Sequence, residues 1–160
     1  MRPAVGRVRI EPFVGDRTEL ADLFALADDS PTAIAAYRDL GTLLVARDDR
    51  GAIGLALVIA DRKRGTAELK ALAIDPQRQR TGLGRRLVEA AATTARQEGV
   101  AILQVSTASA DIGNLRFYQR VGFRMARIVR DAFTPALGYP EDIVLDGILL
   151  RDQVIFDRPL

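Results

Sequence analysis

Residues 43–74 constrain the fold most, because they are typical of three consecutive β-strands joined by two short turns. The apolar runs cover residues 43–47, 53–61 and 66–74. The connecting sequences, DDRG and RKRG, both end in glycine and are typical of hairpin turns. Three strands in immediate succession predict one sheet, with helices covering its faces.

Helices are predicted on both sides of this group of strands. After it, residues 82–98 carry apolar side chains at helical spacing, and Gly99 ends the pattern. Before it, Asp16 can cap a helix over residues 16–26, and a second short helix is predicted over residues 32–40.

The rest of the chain continues in short strands and helices. An alternation of Val5, Val8 and Ile10 with polar residues predicts a first strand. The order β-α-α-β-β-β-α-β-α-β-β predicts a mixed α/β fold on one sheet, and the absence of repeats and linkers predicts a single domain over residues 1–160. The later elements are predicted as a strand over 101–107, a helix over 111–120, a strand over 122–130, a long loop over 131–147 and a last strand over 148–156.

The composition excludes several kinds of chemistry. The chain has no cysteine and no histidine, which removes cysteine nucleophiles, thiolate metal sites and Ser-His-Asp triads. No stretch resembles an acidic calcium loop, so we expect no metal. A net charge of +2 without a basic and aromatic platform predicts no nucleic-acid partner. The longest apolar stretch and the N-terminus fit neither a membrane span nor a signal peptide, which predicts a cytoplasmic protein without a membrane partner.

The sequence QRQRTGLGRRL, residues 77–87, places four arginines where the long helix is predicted to begin. Helix starts normally favour acids, because the first turn carries a partial positive charge. The free N–H groups of that turn form an anion site, and Gly82 and Gly84 let a phosphate approach the backbone. Four arginines at this place favour a polyphosphate ligand, whereas any one of them alone would favour a solvated face. The spacing matches neither the dinucleotide-binding fingerprint nor a Walker A loop.

This segment resembles motif A of the GNAT (Gcn5-related N-acetyltransferase) superfamily. In that motif a strand ends in an apolar-Ala-apolar triplet, and Gln/Arg-x-x-Gly-x-Gly/Ala opens a long helix. The triplet here is LAI at residues 72–74, and the glycine motif runs from Gln79 to Gly84. A common form of the motif has glycine where this chain has Arg80.

A second segment, residues 111–125, resembles motif B of the same family. That motif is a helix whose tyrosine is followed four residues later by Gly-Phe, which matches Tyr118, Gly122 and Phe123. Many members have asparagine seven residues before the tyrosine. This chain has Asp111 there and Asn114 nearer, so the sequence leaves open which of the two contacts the cofactor.

The resemblance covers nearly the whole chain, from residue 5 to residue 156, and implies the GNAT fold. That fold is a mixed, mostly antiparallel central sheet of about seven strands flanked by about four helices. It also implies an N-acetyltransferase in which a primary amine directly attacks acetyl-CoA, the acyl-donor cosubstrate. The residues that the resemblance assigns to cofactor binding are Leu72, Ala73, Ile74, Gln79, Arg80, Thr81, Gly82, Leu83, Gly84, Arg85, Asn114 and Tyr118.

Two catalytic residues are implied as well. Tyr118 resembles the family's general acid, with core packing as the alternative. Glu68 occupies the position where some members carry a catalytic base, with a solvated ion pair to Lys70 as the alternative. Strand alternation predicts that the side chains of Glu68 and Lys70 face the same side of the sheet. The side chains predicted to face the other way are Ala67, Leu69, Ala71 and Ala73.

The acceptor is the least determined part of the reaction. The loop over residues 131–147 offers Phe133 and Tyr139 as walls, which would suit a small cationic amine. Two alternatives remain: a silent CoA-binding sensor or partner-binding module, and an enzyme acting on a protein amine. The sequence also leaves open whether the chain forms a homodimer. The acids of this loop are Asp131, Glu141, Asp142 and Asp146.

Overall fold

A sheet of seven strands runs through the computed structural model, which describes residues 6–160. Val5, which the sequence places in the first strand, lies outside the described residues. The strands are β1 Arg9–Pro12, β2 Thr42–Asp48, β3 Gly51–Asp61, β4 Thr66–Ile74, β5 Ile102–Ala108, β6 Arg124–Val129, β7 Val144–Leu145, β8 Ile148–Leu149 and β9 Gln153–Pro159.

The strand order in the sheet is β1-β2-β3-β4-β5-β9-β6, with β7 and β8 forming a separate hairpin. All neighbours are antiparallel except β4 and β5, which are parallel. Consecutive strands joined by short turns pair antiparallel, whereas the long crossover between β4 and β5 makes that pair parallel. The prediction of a mixed, mostly antiparallel sheet of about seven strands is confirmed.

Two pairs of helices cover the two faces of the sheet. In one core, the third and fourth helices pack against Leu103 and Phe156. In the other, the first two helices pack against Leu55 and Leu57. Within residues 6–160, no helix is both long and apolar enough to cross a membrane. The helices are α1 Ala21–Ala27, α2 Pro31–Tyr37, α3 Leu83–Gln97 and α4 Ile112–Arg120.

A β-bulge at Lys70 contradicts the strict alternation predicted for β4. Leu57 pairs with Ala71 while Val58 pairs with Leu69, so Lys70 is an extra residue between two rungs. A bulge reverses the faces of the residues that follow it. Leu69 therefore lies in the core beneath α3, as Ala67 does, whereas Ala71 and Ala73 lie in the core beneath α1.

The C-terminal part also departs from the prediction. The last strand is β9, which begins at Gln153 rather than at residue 148, while Ile148 and Leu149 pair with residues 144–145 in the hairpin. The predicted loop contains this hairpin and a 3-10 turn, Pro135–Leu137. The predicted strand was too long because apolar residues stand on both sides of the polar pair at 151–152, so the sequence pattern does not show the break between β8 and β9.

The N-terminal helices are shorter than predicted. The first begins as a 3-10 turn, Arg17–Leu20, because the Asp16 side chain accepts from the N–H of Thr18 and tightens that turn. The second ends at Tyr37 instead of at residue 40.

Candidate functional site

The parallel strands β4 and β5 diverge soon after they meet. Their pairing is limited to residues 66–68 of β4 with 102–104 of β5, although β4 continues to Ile74 and β5 to Ala108. Within the described chain, the β5-facing edge of β4 beyond Glu68 has no strand partner. Unpaired backbone N–H and C=O groups need another partner, so this wedge-shaped gap can bind a ligand's polar chain.

The start of α3 borders this gap and lacks a side-chain cap. Its N-cap is Gly82, which has no side chain that could cap the helix, and its first turn contains no acid. By contrast, Asp16, Ser30 and Asp111 each cap their own helical segment. The N–H groups of residues 83–85 precede the first bond within α3, from the Arg86 N–H to the Gly82 carbonyl. Together with the helix dipole they can bind phosphate oxygens.

Three of the four arginines of this segment contact acceptors of the chain itself. Arg78 is paired with Asp48, Arg85 donates to the Arg120 carbonyl at 3.1 Å, and Arg86 donates to the Val8 carbonyl at 3.1 Å. Three of the cations are therefore held by acceptors of the chain itself. Arg80 is exposed on the turn, where it could meet an anion.

The backbone of the turn explains two features of its sequence. Arg80 has φ 62° and Gly82 has φ 84°, both in the left-handed region that glycine adopts without strain. Gly84 is buried, and a Cβ there would lie 2.9 Å from Ile74 Cδ1 and 3.1 Å from the Phe117 ring. Helix packing therefore also favours glycine at residue 84, in addition to the phosphate approach that the sequence predicts.

The partner of Arg78 was missed by sequence reasoning. The Asp48 side chain is only 2% exposed, and it accepts from the Arg50 N–H at 2.8 Å as well as from Arg78. This contact fixes the arginine-rich turn before α3 to the β2–β3 hairpin. Asp48 stands in a DDRG sequence typical of an exposed turn, so no local signal distinguishes it.

Helix α4 approaches both the start of α3 and strand β5. Its Phe117 contacts Gly84 at the start of α3, while the Asn114 side chain donates to Thr107 Oγ1 of β5 at 3.2 Å. The Asp111 carboxylate caps the helix by accepting from the Asn114 N–H at 2.9 Å. Asp111 is therefore engaged as a cap, and Asn114 lies between the helix and the free part of β5.

Tyr118 lies inside an aromatic cluster. Its ring centroid is 5.3 Å from that of Phe117, 5.7 Å from Phe123 and 5.8 Å from Phe156. Burial, with a smaller contribution from the Asp111 carboxylate, raises the pKa of the phenol above its usual value. The hydroxyl therefore stays protonated throughout the neutral range.

Glu68 lies at the last paired position of β4, where the strands part. Its carboxylate is 3.6 Å from Lys70 Nζ, and both side chains are partly exposed. The ammonium of Lys70 in turn lies 5.2 Å from the centroid of the Tyr37 ring, which belongs to the α1–α2 face. The ion pair considered as the alternative for Glu68 is thus present, and it lies beside the divergence.

The loop residues expected to form the acceptor site come together in part. The rings of Phe133 and Tyr139 meet edge to face, with centroids 5.0 Å apart. Asp131 pairs with Arg151 at 3.3 Å, so its charge is already compensated. The other three acids, Glu141, Asp142 and Asp146, are exposed. No group of three or more His, Cys, Asp or Glu side chains in the described part of the chain could hold a metal ion.

Comparisons with known proteins agree with this geometry. The model of the acetyltransferase (GNAT) family matches residues 7–123. The chain is 33% identical over 148 residues to the uncharacterized N-acetyltransferase YvbK of Bacillus subtilis strain 168, covering 92% of this chain and 94% of that protein. It is 31% identical over 108 residues to the ribosomal protein bS18-alanine N-acetyltransferase of Salmonella typhimurium, covering 68% and 70%.

A solved structure carries the expected ligand. The crystal structure of a GNAT family acetyltransferase from Elizabethkingia anophelis with acetyl-CoA bound matches with a TM-score of 0.87 and 28% identity. The match covers 96% of this chain and 98% of that chain.

The Arg80→Gly variant tests the phosphate turn. We expect the Kd for CoA, measured by calorimetry, to rise roughly three- to thirtyfold, because one charge-assisted contact is lost while the left-handed backbone is relieved of strain. Asp142→Gly is the matched control, since it has the same φ of 62° outside the turn, and its Kd should stay within about twofold of wild type. An unchanged Kd in Arg80→Gly would mean that the Arg80 side chain makes no contact with the phosphates.

Proposed function

The chain belongs to the acetyltransferase (GNAT) family, and we propose that it transfers an acetyl group from acetyl-CoA to a small-molecule primary amine by direct attack. The coarser part rests on the comparisons: the chain is an acetyl-CoA-dependent N-acetyltransferase. Our proposal adds the acceptor class, the mechanism and the residues that carry it out.

One observation supports the proposal most: β4 and β5 part beside a helix start that has no side-chain cap. A long cosubstrate with a pyrophosphate needs backbone donors at both places, namely at the helix start and along the free strand edge. We assign the phosphate contacts to the backbone of residues 79–85, with Arg80 as a charged partner. The free edge at residues 72–74 would hold the pantetheine arm and polarise the thioester carbonyl, and Asn114 would line the opposite wall.

The two proposed catalytic groups lie on opposite faces of the sheet. Tyr118 packs in the core with α3, and Glu68 lies beside Lys70 and Tyr37 on the α1–α2 face. This arrangement suits a reaction in which the amine arrives from one face and the thiolate leaves towards the other. The absence of cysteine in the sequence closes the route through a thiol acyl-enzyme.

Glu68 would act as the base. An alkyl amine with a pKa near ~10.4 arrives mainly as the ammonium ion, and only the neutral form can attack a carbonyl. A carboxylate at the point of divergence can accept the proton directly or through water and can attract the cation beforehand.

Tyr118 would act as the acid. The raised pKa keeps its phenol protonated, so it can donate a hydrogen bond to the thiolate as negative charge develops. Full proton transfer to a thiolate with a pKa near ~8.5 is uphill for a phenol. The larger contribution is therefore expected from the hydrogen bond itself.

The face that carries Glu68 favours a small acceptor over a protein. Tyr139 from the 131–147 loop donates to Asp28 beside the α1–α2 segment at 3.1 Å, and the Phe133 ring packs on Tyr139. A loop in this position narrows the path by which an acceptor can reach Glu68. The similarity to the Salmonella enzyme named for the alanine of a ribosomal protein makes a protein N-terminus the second candidate.

An acceptor screen with acetyl-CoA, read as free CoA release, tests the proposed function. We expect release with small cationic amines and little with peptides that carry a free N-terminus. Release with peptides alone would favour the protein-amine alternative. Bound CoA without release by any acceptor would favour a silent CoA-binding module.

The Tyr118→Phe variant tests the acid. We expect kcat to fall by roughly 10²- to 10⁴-fold, the usual effect of losing a positioned acid, while the Kd for CoA changes less than about threefold. The ring contacts remain, so the melting temperature serves as the folding control. Normal turnover would make Tyr118 a packing residue.

The Glu68→Gln variant tests the base through the pH–rate profile. We expect kcat to fall at neutral pH and to recover partly at high pH, where the free amine is abundant. Lys70→Gln removes the same ion pair but keeps the carboxylate, so it should retain most of kcat. A rise in KM alone for Glu68→Gln would mean that the carboxylate only attracts the acceptor. If neither kcat nor KM changes by more than about threefold, Glu68 is neither the base nor an attractor of the acceptor.

A further inference from the structure

The segment after the first helix and the loop after β6 are joined through one carboxylate. Asp28 Oδ2 accepts the Tyr37 hydroxyl at 3.3 Å, and Asp28 Oδ1 accepts the Tyr139 hydroxyl at 3.1 Å. Asp28 Oδ1 also accepts the Ser30 N–H at 2.9 Å. Three of the roughly four acceptor positions of a carboxylate are thus taken by the protein itself. Asp28 is therefore better suited to holding the chain than to binding a substrate ammonium.

Two further contacts hold the loop at the same place. The Ser30 hydroxyl donates to the Leu137 carbonyl at 3.3 Å and is fully buried, although it also caps α2. Gly138 approaches so closely that a Cβ there would lie 2.6 Å from Ser30 Oγ. Its φ of 88° is in the left-handed region, so both the space and the backbone require glycine.

This cluster leads directly to the point where β4 and β5 diverge. Tyr37 donates to Asp28, and the Lys70 ammonium lies 5.2 Å from the centroid of the Tyr37 ring. Lys70 is in turn paired with Glu68. Burial is the main cause that raises the pKa of Tyr139 to about 12, and the Asp28 carboxylate adds to it, so the phenol remains a donor at any ordinary pH.

We propose that Asp28 is a positioning residue that fixes residues 137–139 over the face carrying Glu68 and thereby sets the width of the acceptor cleft. We call Asp28, Ser30, Tyr37 and residues 137–139 the Asp28 latch. The latch holds the loop through one shared anion, and it holds the Tyr37 ring that supports Lys70 and, through it, Glu68. The statement about the acceptor rests on the proposed function, whereas the seating of the loop does not.

Limited chymotrypsin digestion in the presence of CoA tests the seating without any acceptor. Phe133, Leu137 and Tyr139 offer cleavage sites, and we expect Asp28→Asn and Tyr139→Phe to be nicked there about tenfold faster than wild type, because opening of the loop no longer breaks the shared hydrogen bonds. Asp29→Asn is the matched control, since Asp29 is the adjacent exposed carboxylate, and it should be nicked at the wild-type rate. Tyr139→Phe retains a chymotrypsin site and changes one hydroxyl, so the proposal stays testable if Asp28→Asn folds poorly.

Steady-state kinetics on the same variants test the acceptor cleft. For Tyr139→Phe we expect the KM for the acceptor to rise at least about fivefold while the KM for acetyl-CoA stays within about twofold. A merely structural role would lower the melting temperature without separating the two constants.

The outcomes are separable from those of the proposed function. Unchanged nicking in both Asp28→Asn and Tyr139→Phe would overturn the latch whatever the enzyme acetylates. Faster nicking with an unchanged acceptor KM would overturn its role in the cleft. If no acceptor supports turnover, the proposed function fails, and faster nicking still supports the seating of the loop by Asp28.

Discussion

The structure depends on the extra residue that β4 accommodates at Lys70. The bulge lets one strand serve two cores in succession, with Leu69 beneath α3 and Ala71 beneath α1. β4 leaves β5 just before this bulge, after Glu68. A regular parallel pair would have satisfied its own backbone and left no room for a ligand. Where the two strands part, the free edge of β4 opens towards α3 and α4. The polar side chain of Glu68 lies on the opposite face of the sheet.

Electrostatics at the start of α3 follow from the same opening. The helix dipole and the uncapped N–H groups create positive potential, and arginines placed there would be unfavourable without anions. The chain limits this cost by giving Arg78, Arg85 and Arg86 acceptors of its own. Arg80 is left on the turn in a left-handed conformation. Its conformation accounts for the glycine that a common form of the motif has at this position, and the exchange adds a cation beside the proposed phosphate site.

The sequence predicted the sheet, the helix pairs and the family, because hydrophobic period, turn glycines and two motifs are local signals. The bulge was not predictable, since small side chains such as Ala71 and Ala73 fit either face and leave the alternation unbroken. Asp48 and Asp28 were missed for another reason. Their partners lie far along the chain, 30 residues away for Arg78 and 111 for Tyr139, and only tertiary packing brings them together. The roles of Glu68 and Tyr118 remain predictions from the motifs.

We propose that the cosubstrate occupies the opening between β4 and β5 from the α3 side. Hydrogen–deuterium exchange with and without CoA measures this directly, because bound backbone amides exchange more slowly. We expect slower exchange at residues 72–74 and 80–85, with residues 21–37 unchanged. Slower exchange confined to residues 21–37, with no change at the β4 end or the arginine turn, would contradict it.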